Sequence, residues 1–139
     1  MSELVIREWL ERLAETVARR DLDGHMALIS KKVYVYGLPG DKTVDYAGWR
    51  LRRENELRKG LLAGLRHNGI TIRNIGLRRV GFNTTETLVA ASGHEVVVNK
   101  DMILEQEEDG RWRLVEEKIL HWQVRPGGAR HEQKEKDPP

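Results

Sequence analysis

The sequence predicts one α+β domain, with helices first and a meandering antiparallel sheet after them. Three observations carry this. Apolar residues recur at helical spacing over residues 3 to 20 and again, less cleanly, over 46 to 65. From Ile70 onward the chain changes to β-branched runs separated by glycine-bearing turns. The length of 139 residues suits a single domain with a real core.

The first helix places Ile6, Trp9, Leu10, Leu13 and Val17 on one stripe, with Ser2 as its cap and Arg7, Glu11, Arg12, Glu15 and Arg19 toward water. Asp21 and Asp23 open a short second helix in DLDGHMALI. KKVYVYG follows as a strand, Val33 and Val35 on one face and Tyr34 and Tyr36 on the other. Leu38-Pro39-Gly40-Asp41 turns the chain. Asp45 caps a third helix whose stripe is Trp49, Arg53, Leu57 and Leu61, and which should break near Gly60.

His67-Asn68-Gly69 reads as a turn, Ile70 to Val80 as a strand, Gly81-Phe82-Asn83 as a second turn and Thr84 to His94 as a strand. Glu95 to Val124 then forms a long hairpin about Asp109-Gly110. That turn sets Asp101 opposite Lys118, Met102 opposite Glu117, Leu104 opposite Val115 and Val98 opposite His121; a slip of one residue would set Asp101 beside Glu117 instead. Both hairpin faces carry apolar residues: Val98, Leu104, Val115 and Ile119 on one, Val97, Ile103, Leu114, Leu120 and Trp122 on the other. Helices can cover one face only, so a homodimer through the sheet is expected. The domain spans 1–125, and the polar residues 126–139 are expected to be a disordered tail.

Composition removes several classes. There is no cysteine, hence no disulfide and no thiolate chemistry. No apolar run approaches the ~20 residues of a bilayer span, and the charged start MSELVIREWL has no signal-peptide core, so the expected place is the cytoplasm. The net charge of +2 hides a split: Arg50 to Arg79 holds nine basic and two acidic residues, Asp101 to Glu117 two basic and seven acidic. Such a split suits an anionic partner, complementary subunits or plain solvated surface. Arg50, Arg52, Arg53, Arg58, Lys59 and Arg66 could meet phosphates, yet no exposed aromatics interleave with them, which speaks against nucleic acid. His25, His67 and His94 lack metal-ligand spacing, and no Gly-rich phosphate or dinucleotide loop is present, so neither metal nor cofactor is expected.

The helix with Trp9 and Leu13, the segment DLDGHMALI before KKVYVYG, the loop GLPGDKTVDYAGWR and the strand DGRWRLVEEKILHW together resemble the NTF2-like (SnoaL-like, cystatin-like) superfamily over residues 3 to 124. The resemblance implies a cone of three N-terminal helices on a curved antiparallel sheet, holding a small hydrophobic ligand, and usually a dimer. It also admits enzymes: isomerases, cyclases, dehydratases and epoxide hydrolases. Steroid-isomerase-like members carry a general-base Asp at the end of the first strand. Tyr36 stands about there and Met102 stands at the acid position, which argues against that chemistry, since a phenol of pKa about 10 is a poor base at neutral pH.

For acid–base work the candidates are Glu117 and His121, which even spacing would place on one face opposite Met102 and Val98. The plainer reading is an ion pair or a histidine at a dimer seam. Tyr34, Tyr36, Trp49 and Met102 are candidate ligand-binding residues, with half-buried strand aromatics and core packing as the plainer alternatives. A third reading, a protein–protein module using the charged surface, stands beside ligand binding and catalysis.

Overall fold

The structure is a computed structural model and describes residues 2–127. Apart from Pro126 and Gly127, the expected tail lies outside the described residues. The chain runs α1 (Ser2–Ala18), α2 (Leu22–Met26), β1 (Ile29–Tyr36), a 3-10 turn (Pro39–Asp41), α3 (Tyr46–Arg58), β2 (Gly64–Gly76), β3 (Arg79–Val89), β4 (Glu95–Gln106) and β5 (Trp112–Arg125).

The helices follow their signals. The α1 stripe Ile6, Trp9, Leu10, Leu13 and Val17 is buried as the spacing predicts, although Ser2 lies inside the helix rather than before it. Asp21 and Asp45 cap α2 and α3 by accepting from the backbone N–H of Gly24 and Gly48. The α3 helix breaks at Gly60, as expected. Gly60 takes φ +73° just beyond its cap, and the N–H of Leu61 closes back on the carbonyl of Glu56.

The sheet order is β1-β5-β4-β3-β2. It is mixed, not wholly antiparallel: β1 pairs parallel with β5, while β5-β4-β3-β2 form the expected meander. One strand also intervenes between α2 and α3, so the three helices are not one N-terminal block. A parallel partner needs a long crossover, and α3 with the rest of the sheet supplies it.

Two expected turns are strand. His67-Asn68-Gly69 lies within β2, where the register slips between Asn68 and Thr71 and Gly69 takes φ +77°. Gly81-Phe82-Asn83 lies within β3, with Phe82 fully buried. The glycines there mark a bulge and an ordinary ladder position; the turn is at Leu77-Arg78.

The hairpin register holds in its middle, where Asp101 faces Lys118 and Met102 faces Glu117. It fails at both ends. Extra residues at Val115 and Leu120 shift it, so Leu104 meets Leu114, and Val98 meets Trp122 instead of His121. Each bulge moves the following side chains to the other face. The outer face is therefore more polar than expected: Asn83 donates to Asn99 (3.1 Å) and Asp101 (2.9 Å), and Asn99 donates to Thr85 (3.1 Å). Lys118 lies over the Tyr36 ring, and Asp101 turns to Asn83 and Arg73. The core gathers the α1 stripe with Met26, Ile29, Val35, Trp49, Phe82, Met102, Leu104 and Leu114 on the inner face.

Candidate functional site

The inner face is organised in rungs. Phe82, Met102 and Glu117 form one; Thr84, Lys100 and Ile119 the next; His67, Glu86, Val98 and Trp122 a third; Leu88, Val96 and Val124 a fourth. Toward Phe82 and Leu104 the face is sealed by apolar packing. Toward Trp122 and Val124 it opens, with exposures of 49% and 61%. A belt of charge separates the two regions.

Lys100 is the belt's centre. Its ammonium donates to Glu86 Oε1 (2.7 Å) and Glu117 Oε1 (3.2 Å), all three side chains being at most 3% exposed. Glu86 Oε2 lies 2.8 Å from His67 Nε2. Burial alone would lower Lys100 and raise Glu86. The carboxyl groups of Glu117 and Glu86 outweigh it for Lys100, which is raised; Lys100, His67 and Arg53 outweigh it for Glu86, which is held well below the usual carboxylate range. Glu86 is thus ionised and acts only as acceptor. His67 Nε2 must carry the hydrogen, leaving Nδ1 as the free ring atom.

The helices add a second layer. His25 is fully buried. Its Nε2 accepts from Trp49 Nε1 (3.2 Å) and Arg53 Nε (3.3 Å). Its Nδ1 faces Thr16 Oγ1 at 3.1 Å, and that hydroxyl already donates to the carbonyl of Leu13. Two donors on one nitrogen and an acceptor on the other leave only the neutral Nδ1–H tautomer. Burial, then the Arg53 cation, pushes His25 down to about 3. Arg53 is itself 2% exposed, stacked 5.2 Å from the Trp49 ring and bonded to Glu56 at 2.6 Å.

A groove of about 260 Å³ between α1 and β2, lined by Arg7, Leu10, Ala14, Leu65, His67 and Ile70, reaches His67. A larger cleft of about 720 Å³ between α1, α2 and the β4–β5 turn is lined by Trp9, Arg12 and Trp112 and holds none of the belt residues. The belt, where titratable groups converge, is the better candidate.

The predicted residues divide. Glu117, Trp49 and Met102 lie inside, Glu117 in the belt and Met102 on its rung. His121 is exposed and pairs with Asn99 on the outer face, so the bulge at Leu120 parts it from Glu117. Tyr34 and Tyr36 also face outward, opposite Glu116 and Lys118, and Tyr36 donates to Glu116 at 3.0 Å. The belt residues Lys100, Glu86 and His67 have no role in the sequence reading, whereas Arg53 stands on the predicted α3 stripe with Trp49 and Leu57. A signal existed for two: Lys100 alternates in phase with Val96, Val98, Met102 and Leu104, and Glu86 with Thr84 and Leu88. The Arg-rich segment is largely neutralised within the chain: Arg50 pairs with Asp23, Arg52 and Arg53 with Glu56, and Arg66 with Glu95. Arg58 donates to Asn55 at 3.1 Å.

Among the described residues no group of His, Asp or Glu is placed to hold a metal ion, and no helix is long and apolar enough to cross a membrane. No protein-family model matches the chain, and no curated protein does. Solved structures do. An NTF2-like protein of unknown function from Pseudomonas putida matches with TM-score 0.67 at 14% identity, covering 85% of this chain and 84% of its own. A provisionally assigned scytalone dehydratase from Novosphingobium aromaticivorans matches with TM-score 0.67 at 12% identity over 91% of each chain. A protein of unknown function with a cystatin-like fold from Nostoc punctiforme matches with TM-score 0.64 at 18% identity, over 89% and 91%. At such identities the likeness speaks for the backbone, and the chain has the NTF2-like, cystatin-like α+β cone fold.

Proposed function

We propose that the protein handles a small molecule with a hydrophobic body at the inner face of its sheet, and that the charged belt performs acid–base chemistry on it, as an isomerase, dehydratase or hydrolase would. The observation that carries this is the buried chain His67–Glu86–Lys100–Glu117. Four ionisable groups in a core are costly where apolar side chains would serve as well for stability. Glu86 orients His67, a lining residue of the groove, and in this reading its Nδ1 is the base. Lys100, itself anchored by Glu117, holds Glu86 in place and charged. His67 takes the role that strand spacing suggested for His121, while Glu117 stays in the set and Trp49 and Met102 are core packing rather than ligand contacts. Tyr34, Tyr36 and His121 fit the outer surface instead, where a homodimer through the sheet would seat them. A cytoplasmic place, without cofactor, completes the reading.

The test is deuterium wash-in from heavy water into a panel of small enolisable hydrophobic carbonyl compounds. Wild-type protein should accelerate exchange for at least one of them. His67→Ala should lose about 10²- to 10⁴-fold of that acceleration. Equal acceleration by His67→Ala, or none by wild-type protein, would defeat the catalytic reading. Binding without exchange would leave the simpler one, a ligand carrier.

A further inference from the structure

We propose that Arg53 and Lys100 together make an anion-binding point inside the cone, built for the carboxylate of a small hydrophobic acid; this rests on the inner face being the ligand site. A guanidinium has five N–H donors. Arg53 spends Nε on His25 and Nη1 on Glu56. Its Nη2 has no acceptor among the described residues, although the side chain is only 3% exposed. Nor is Nη2 sealed off: among the described residues the one sealed side-chain polar atom without a hydrogen bond is Arg52 Nε. A buried cation with an open donor edge is a ready receptor for an anion, since buried polar groups ordinarily find partners.

Lys100 adds to it. The ammonium has three donors, and Glu86 and Glu117 take two. Arg53 lies within electrostatic reach of Glu86 and Lys100 and hydrogen-bonds to neither. The fork is also preorganised. His25, fixed in one tautomer, holds Nε, and the Trp49 ring lies against the guanidinium at 5.2 Å. A ligand carboxylate would therefore bind without the entropy of ordering a loose arginine. Beside the belt, Val98, Trp122 and Val124 offer apolar surface for the body of such an acid.

The test uses the full chain with ¹⁵N-labelled arginine. Benzoate and phenylacetate are compared with benzamide and phenylacetamide, neutral molecules of the same shape. The acids should move the Arg53 side-chain signals and the Trp122 emission, and bind at least tenfold more tightly than the amides. Arg53→Lys, which keeps the charge but loses the fork, should forfeit at least tenfold of the acid's affinity. Should that variant fail to fold, the labelled signals of the unaltered protein still decide. Acids and amides binding alike, with Trp122 moving and Arg53 silent, would overturn the anion point and leave the inner-face site standing. No response at Trp122 to either series would overturn both.

Discussion

Replacing Lys100 by Met removes the one ammonium between Glu86 and Glu117. Methionine has a similar length, so packing is largely kept and the change isolates charge. Two charge-assisted hydrogen bonds vanish, and two carboxyl groups no more than 3% exposed lose their common partner. Breaking a buried ion pair from one side costs about 3–5 kcal/mol. For a domain of this size that is roughly 10–15 °C in melting temperature, and a large share of a total near 5–15 kcal/mol. The pH dependence should reverse. In the native protein Glu86 is held low, so its contribution is present above the ordinary value of about 4.3 and is lost as pH falls through the folded value. Lys100 is held high, so its contribution is present below about 10.4 and is lost as pH rises through the folded value. Without Lys100, burial dominates Glu86 and raises it. Stability is then greatest below about 4.3 and falls as pH rises through the new folded value, by at most about 1.4 kcal/mol per pH unit per proton. Urea unfolding of wild-type and K100M protein at pH 5 and pH 7 reads both effects. The triple replacement by Leu, Met and Leu at Glu86, Lys100 and Glu117 should recover most of the loss, because no charge is then left unpaired. A K100M protein within about 1 kcal/mol of wild type at pH 7, and no more stable at pH 5, would refute the belt as a buried ion network.

Other outcomes follow from single sites. His25 should show the Nδ1–H tautomer in ¹⁵N spectra; an Nε2–H signal would break the arrangement of Thr16, Trp49 and Arg53. Its folded value near 3 lies below the unfolded one, so it adds stability above about 6.5 that is lost as pH falls toward 3. The His25→Gln variant should show a shallower acid slope than wild type over that window, and an equal slope would count against the assignment. Asp45→Ala should cost about 1 kcal/mol in thermal melts by removing the α3 cap. Trp122→Ala should lower melting little, because the ring is half exposed, yet remove the red-shifted part of the tryptophan emission. An unchanged spectrum would mean that the open end of the inner face is covered.

Local chemistry made much of this fold legible. The α1 stripe, both Asp caps and the Asp101–Lys118 register come from spacing and turn residues alone. What stayed hidden is where one residue alters the phase. A period-two pattern carries no mark of an extra residue, so the bulge at Leu120 reversed the expected places of His121 and Trp122, and that at Val115 those of Leu114 and Val115. Gly69 and Gly81 read as turns because glycine punctuates strands and turns alike. The parallel pairing of β1 depends on contacts across the whole chain and leaves no local trace. Lys100, Glu86 and Arg53 resemble surface charge by type; only their phase, shared with buried neighbours, set them apart.

The place of β1 in the sheet has a consequence for how the chain is made. Tyr36 meets its partner Glu116 across 80 residues of sequence. On a ribosome β1 emerges before its neighbour β5, so its ladder edge stays open while the chain between them is made. Two exposed lysines, Lys31 and Lys32, sit on that strand. Charge of this kind on a waiting edge discourages pairing with another nascent chain, and its removal should first become visible as lower soluble yield rather than as a changed native structure.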